Sequence, residues 1–241
     1  MATVIFCDGL AGDGKLKFVS LSKKLADFGH HVRFVNIDDV RTHDDRIRAV
    51  HDEVNRVRYG DRVVLIGFSA GGSACHITSH KIRVVGEVLI TPTIPKGYFI
   101  FTPTLVKCML RHIAPLICST KGELSLTLTE LDDLSGPLDL SRVMPMIQRR
   151  RPVSLPEARE LAFRPPKFQK PVCPLFYCYG ALDRWVNPNA HRRYAKNLQK
   201  LSTSNAPVTV LTVNCGHDVL SSINHEYPES EIARWIGNIS N

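Results

Sequence analysis

The chain has 241 residues, enough for one large domain or one domain carrying an insertion. Hydrophobic residues make up 44% and charged residues 22%, a balance that excludes wholesale disorder, and no apolar run approaches the about 18 residues that suggest a membrane span. The net charge of +8 comes from scattered cations, apart from Arg149, Arg150 and Arg151, with no RNA-binding signature, so it reads as a solvated basic surface and not as a nucleic-acid site.

Strand and helix signals alternate from the start. Val4 to Cys7 is a short strand followed by a glycine-rich turn, Asp8 to Gly14. Phe18, Leu21, Leu25 and Phe28 then recur at helical spacing, with Gly29 as the stop. Val32 to Ile37 is a second strand. Asp44 and Asp45 open a second helix, in which Ile47, Val50, Val54 and Val57 form one face and Gly60 marks the end. Val63 to Ile66 is apolar without alternation, the pattern of a strand covered on both faces. A helix follows it, then a strand over Val84 to Ile90. After a long interruption come strands at Leu175 to Tyr179 and Val208 to Val213, separated by a helix around Ala190 to Leu201. Such alternation predicts an α/β fold with a doubly wound, mostly parallel sheet. The interruption, residues 93–170, has no strand signal and is too long to be a loop. It is read as a helical cap, with a short helix from Pro156 to Leu161, inserted into a core of residues 1–92 and 171–241.

The segment that carries chemistry is Gly67-Phe68-Ser69-Ala70-Gly71, a G-x-S-x-G directly after a strand and before a helix. In that setting the serine sits on a sharp turn that lifts its hydroxyl above the sheet edge, and flanking glycines relieve crowding. A serine nucleophile needs a base, and the base needs an orienting acid. Asp183 lies just past the Leu175 to Tyr179 strand, and His217 just past the Val208 to Val213 strand, in a glycine turn. Both follow from strand ends and not from choosing any available acid or histidine. His76 and His80, one turn apart on the helix after Ser69, are read as packing or surface groups. The oxyanion donors are expected to be the backbone N–H groups of Ala70 and Leu10, with Asp8 and Phe68 as candidate substrate contacts. The Gly9 to Gly14 turn lacks the G-K-[ST] ending of a phosphate cradle. The seven cysteines include no C-x-x-C pair and no zinc spacing, so a reducing cytosol fits, and chemistry by serine, histidine and aspartate needs no metal or cofactor. The first strand has no basic segment ahead of it, the pattern of a chain without a secretory signal.

With these residues in place the chain resembles the α/β-hydrolase superfamily over nearly all of its length outside the inserted segment. Val4 to Gly12 is similar to the family's first strand and loop, Gly67 to Gly72 to its nucleophile elbow, Pro174 to Pro188 to its acid-bearing strand and loop, and Cys215-Gly216-His217 to its histidine turn. One departure stands out: many relatives have histidine before the first-loop glycine, where this chain has Asp8. A carboxylate aimed inward there would oppose an oxyanion, whereas one that bonds the loop would not. The chain also starts at what would be the family's third strand, which implies a sheet of about six strands.

The resemblance implies acyl transfer through a covalent serine intermediate, with a small-molecule acyl substrate. The expected activity is hydrolysis of a carboxylic ester or thioester of a moderately apolar acyl group. An acyl carrier protein or CoA thioester is a candidate partner because Arg149 to Arg151 could meet a phosphopantetheine group. The alternative is a non-hydrolytic use of the fold, as a lyase, cyclase, acyltransferase or ligand receptor.

Overall fold

A computed structural model describes residues 1–9, 15–95, 138–148, 160 and 169–240, with the backbone of 123–124 and 153–154. In chain order its elements are β1 (Thr3–Cys7), α1 (Val19–Asp27, entered through a 3-10 turn at Leu16–Phe18), β2 (His31–Phe34), α2 (His43–Asn55), β3 (Val63–Phe68), α3 (Ala70–Ser79) and β4 (Gly86–Ile90). There follow β5 (Glu123–Leu124), α4 (Leu140–Gln148), β6 (Val153–Ser154), β7 (Leu175–Gly180), α5 (Pro188–Lys200), β8 (Val208–Val213) and α6 (Glu226–Ile239).

Six of the strands form one sheet in the order β2-β1-β3-β4-β7-β8, and every pairing in it is parallel. Its two faces explain the unbroken apolar runs. Val4 and Phe6 of β1, with Val64, Ile66 and Phe68 of β3, face a layer built from Leu21 and Leu25 of α1 and Ile232 and Ile236 of α6. Ile5 and Cys7, with Leu65, face the opposite layer, where Val50 and Val54 of α2, Ala74 of α3 and Leu198 of α5 pack. Each residue of these strands is therefore buried on one side or the other, and alternation disappears. This is the doubly wound, six-stranded α/β architecture that the strand and helix pattern implies. From β1 the chain moves outward to β2 and then returns past β1 to β3. The strand order therefore reverses between β1 and β3, and the crevice at their carboxyl ends is where sites form in such sheets.

Local signals behave as their chemistry requires, with some shifts. Gly29 adopts φ +81° just past α1, and its N–H and that of His30 close on the carbonyls of Ala26 and Leu25. The second helix opens one residue before the expected aspartates, because Thr42 and Asp45 form a reciprocal capping box. It also stops at Asn55, and Gly60, at φ +94°, turns the chain later, ahead of β3. The strand expected to reach Ile37 pairs only as far as Phe34, and the one expected from Val84 pairs from Gly86. The interruption contains one feature that its strandless reading lacked, the antiparallel two-residue pair β5–β6. Two residues are too few to carry a period. In the same stretch α4 is tied to the core: Arg142 pairs with the buried Glu229 at 3.0 Å, and the Asp139 N–H donates to the Ser221 carbonyl. Of the helix expected over Pro156 to Leu161, only Glu160 is among the described residues, and it is helical.

Candidate active site

The carboxyl end of β3 runs into Ser69, which stands at φ 52°, ψ −119° ahead of α3. A positive φ at a residue with a Cβ is strained, and here the surroundings enforce it. The Ser69 N–H donates to the Ile90 carbonyl at 2.9 Å, and the Ser69 carbonyl accepts from Thr93 and from the first turn of α3. The glycines on either side serve two different approaches. A Cβ on Gly67 would stand 2.5 Å from the Gly71 carbonyl oxygen, inside the turn. A Cβ on Gly71 would stand 2.2 Å from the Cys7 carbonyl oxygen, at the end of β1. The second glycine thus lets the elbow dock on the neighbouring strand rather than relieving the turn itself.

Three chain-distant side chains meet there. His217 Nε2 lies 3.2 Å from Ser69 Oγ, and His217 Nδ1 lies 2.8 Å from Asp183 Oδ2. Asp183 Oδ1 accepts the N–H groups of Trp185 at 2.7 Å and Val186 at 3.0 Å. Burial drives the Asp183 carboxyl upward, but the His217 charge and the histidine N–H donors outweigh it and hold the group well below the usual carboxylate range. Both ring nitrogens of His217 are therefore spoken for: Nδ1–H faces the carboxylate, and the bare Nε2 can accept the serine proton. The ring is held between Phe68, edge-on at 5.3 Å, and Trp185 at 5.7 Å.

The scan of family models matches the chain over residues 16–235, to the alpha/beta hydrolase family. The chain belongs to that family. A comparison with curated protein sequences returns no match. Among solved structures, it is similar to a monoacylglycerol lipase from Paleococcus ferrophilus, with a TM-score of 0.68 at 16% identity over 99% of this chain and 95% of that one. It is similar to a methylesterase from Arabidopsis, with a TM-score of 0.70 at 13% identity over 99% of this chain and 100% of that one. An extracellular alpha/beta-hydrolase from a Paenibacillus species aligns with a TM-score of 0.66 at 13% identity over 97% and 98% of the two chains. At such identities the likeness is one of fold, while family membership supports hydrolase activity in general.

Other expected site residues of this alpha/beta hydrolase family member fall around the same edge. Ala70 is the first residue of α3, so its N–H belongs to the turn that has no intrahelical acceptor. Leu10 lies outside the described residues. Asp8 is buried, and its Oδ1 accepts the Gly9 N–H at 2.7 Å, so that donor is already committed. Burial raises the Asp8 carboxyl above its ordinary value against the opposing pull of Lys17, the Gly9 bond and Arg46. Phe68 is buried under Lys17, whose Nζ sits 3.7 Å above the ring and pairs with Asp218 at 2.7 Å. Asp218, although adjacent to His217 in sequence, thus pairs with Lys17, and Asp183 holds the imidazole. His76 is indeed a packing group: it is buried with Nδ1 at 2.9 Å from Glu87, and Glu87 raises it above the ordinary histidine value despite the opposing effect of burial.

Thr91 escaped the sequence reading. It follows β4 directly at φ 41° and donates Oγ1–H to the His217 carbonyl at 2.9 Å, pinning the histidine loop to the middle of the sheet. Its signal, a hydroxyl residue between a strand end and Pro92, is too common to single out. Among the described residues no cluster of three or more histidine, cysteine or acidic side chains could hold a metal ion.

Proposed function

We propose that the chain is a serine hydrolase that cleaves a carboxylic ester or thioester of a moderately apolar acyl group. One observation carries this reading: a strained serine at the carboxyl edge of the sheet whose Oγ faces a bare imidazole nitrogen at 3.2 Å, with the other nitrogen held by a buried carboxylate at 2.8 Å. In the reaction Ser69 Oγ attacks the acyl carbonyl carbon while His217 Nε2 takes the hydroxyl proton. Asp183 keeps the imidazole in the Nδ1–H tautomer and stabilises the imidazolium that forms. The N–H groups of Ala70 and Leu10 receive the oxyanion. His217 then gives its proton to the leaving oxygen or sulfur, takes one from water as that water attacks the acyl-serine, and returns it to Ser69 Oγ as the Oγ–acyl bond breaks and the acid leaves.

Asp8 favours hydrolysis over a non-hydrolytic use of the fold. Its Oδ1 accepts the Gly9 N–H, so that oxygen serves the loop, and the objection that the carboxyl opposes an oxyanion loses force. We read residues 93–170 as a cap over this edge and the protein as cytoplasmic. A carrier-linked or CoA thioester substrate would be read by Arg149 to Arg151, which lie outside the described residues. The ester reading is favoured by neighbours named as a monoacylglycerol lipase and a methylesterase. The test is a fluorophosphonate label together with a panel of acyl esters and thioesters of graded length. Wild-type protein is expected to be labelled at Ser69 and to turn over members of the panel, and Ser69→Ala to do neither. Turnover retained in Ser69→Ala would refute the mechanism.

A further inference from the structure

We propose that His191, locked in one tautomer by Tyr177, is a positioning residue that holds Asp183 from behind, so that the hydrogen-bonded chain extends past the carboxylate into the core. The inference rests on the serine-hydrolase reading above. His191 lies in the first turn of α5, fully buried, where its Nδ1 is 2.6 Å from Tyr177 Oη and its ring stacks on Tyr179 at 5.3 Å and 20°. Its Nε2 stands 3.5 Å from Asp183 Oδ2, the oxygen that also takes the His217 Nδ1–H. Nε2 makes no hydrogen bond among the described residues, and Asp183 Oδ2, at 3.5 Å, is the acceptor it stands against.

Two constraints choose the tautomer. Burial raises Tyr177 well above the usual phenol range, so the hydroxyl keeps its proton, and His191 Nδ1 is its one hydrogen-bond partner among the described residues. The opposite tautomer would leave the phenol proton unplaced and would aim the lone pair of Nε2 at a carboxylate oxygen. Tyr177 therefore donates to Nδ1, and the Nε2–H points at Asp183. Burial also lowers His191 below the ordinary histidine value, against the pull of Asp183, so it acts as a neutral donor. That neutrality matters. A lysine or arginine in its place would cancel the charge that Asp183 must offer His217, whereas an imidazole N–H restrains the carboxylate and leaves it anionic. With Trp185 and Val186 on Oδ1 and two imidazoles at Oδ2, Asp183 has donors on both sides and little freedom to rotate.

The titratable groups around the pair are Tyr179 and Cys178 on β7, Tyr194 on α5, and Cys215, His217 and Asp218 on the loop after β8, the last paired with Lys17. Arg184, Arg192 and Arg193 are exposed. Asp183 is the one carboxylate that His191 touches among the described residues.

The two amides that resemble halves of histidine separate this role from packing. Asparagine places its polar atoms near Nδ1, so His191→Asn can keep the Tyr177 bond while removing the donor to Asp183. Glutamine reaches the position of Nε2, so His191→Gln can keep that donor while losing the Tyr177 bond. The readout is the rate at which a fluorophosphonate labels Ser69 as a function of pH, beside the melting temperature. His191→Asn is expected to be labelled about tenfold more slowly at neutral pH, what one hydrogen bond to a charged group is worth. Its acidic midpoint is expected to move up by about half a pH unit, because a carboxylate relieved of one donor holds the imidazolium more tightly. His191→Gln is expected to stay within about twofold of wild type with an unmoved midpoint, although both amides melt earlier. Tyr177→Phe, which removes a single oxygen and keeps the ring, is expected to shift the midpoint in the same direction by less. An unshifted midpoint in both His191→Asn and Tyr177→Phe, or equal slowing of the two amides, would overturn the inference and leave the hydrolase reading standing. Failure of the wild-type chain to label at any pH would overturn both.

Discussion

Two carboxylates are buried at the carboxyl edge of one sheet, Asp183 beyond β7 and Asp8 beyond β1, and their surroundings drive them in opposite directions. Each pays the same kind of desolvation penalty. Asp183 meets it with two backbone N–H groups and the histidine donors, and is held ionised. At Asp8 the Gly9 N–H bond and the charges of Lys17 and Arg46 oppose burial, and burial wins. Depth alone therefore does not set the direction of the shift; the balance between burial and the charges and hydrogen bonds that oppose it does. The acid side of the sheet favours the carboxylate over its protonated form more than water does, and the first-loop side favours it less.

The comparison breaks most visibly at Asp183. In Asp183→Asn an amide replaces the carboxylate facing His217 Nδ1, so the imidazole loses its tautomer lock, and Ser69 labelling is expected to slow by about 10⁴-fold at neutral pH. Rate measurements on a protein with native circular dichroism check this. A loss of tenfold or less would mean that Asp183 does not orient the base.

Each side also depends on a glycine where two backbones touch. A Cβ at Gly180 would stand 2.0 Å from the Gly216 carbonyl oxygen, between the loops that carry Asp183 and His217. A Cβ at Gly71 would meet the Cys7 carbonyl, where the elbow docks on β1. Gly180→Ala and Gly71→Ala are each expected to lose about 3 kcal/mol or more in denaturant unfolding, because the atoms met are backbone and cannot rotate aside. If Gly71→Ala proved harmless, the docking of the elbow on β1 would not matter to stability.

Stability against pH sharpens the contrast with opposite signs. Asp183 is lowered in the fold, so its contribution is present above its ordinary value of 3.8 and is lost as the pH falls through the lower folded value. Asp8 is raised, so the fold holds a proton that the unfolded chain releases, and stability declines as the pH rises from 3.8 through the folded value. Asp8→Asn is therefore expected to raise the melting temperature at neutral pH by a few degrees, about 1 kcal/mol, and to change the Ser69 labelling rate less than about threefold. Asp183→Asn is expected to melt earlier than wild type at the same pH. A destabilised Asp8→Asn would show that partners of the carboxylate at position 8 outweigh its burial, and would erase the contrast.

Much of this edge was legible before any coordinates because its signals are local. Gly67 to Gly71 after an apolar strand, and Asp183 and His217 each a few residues past a strand end, need only the period of the strands to be read. The capping box at Thr42 and Asp45 is as local, but the adjacent pair Asp44-Asp45 gives a start signal of its own one residue later and masks it. The strand pair β5–β6 was illegible because two residues have no pattern. Thr91, His191 and Tyr177 were illegible for another reason. Nothing in their own neighbourhoods distinguishes them from ordinary threonine, histidine and tyrosine.

The order of amino acids by itself determined the alternation of elements, the apolar strands that demand cover on both faces, and the types and sequence of serine, acid and histidine at three strand ends. These follow from hydrophobic period, turn chemistry and the steric needs of a strand-to-helix elbow, all of which act within a few residues. The tertiary structure decided which donors reach each carboxylate, that Asp218 goes to Lys17 rather than to His217 Nδ1, and that Thr91 holds the His217 carbonyl. Those choices join residues up to 201 positions apart, and only the stacking of parallel strands in the order β2-β1-β3-β4-β7-β8 brings their ends to one edge.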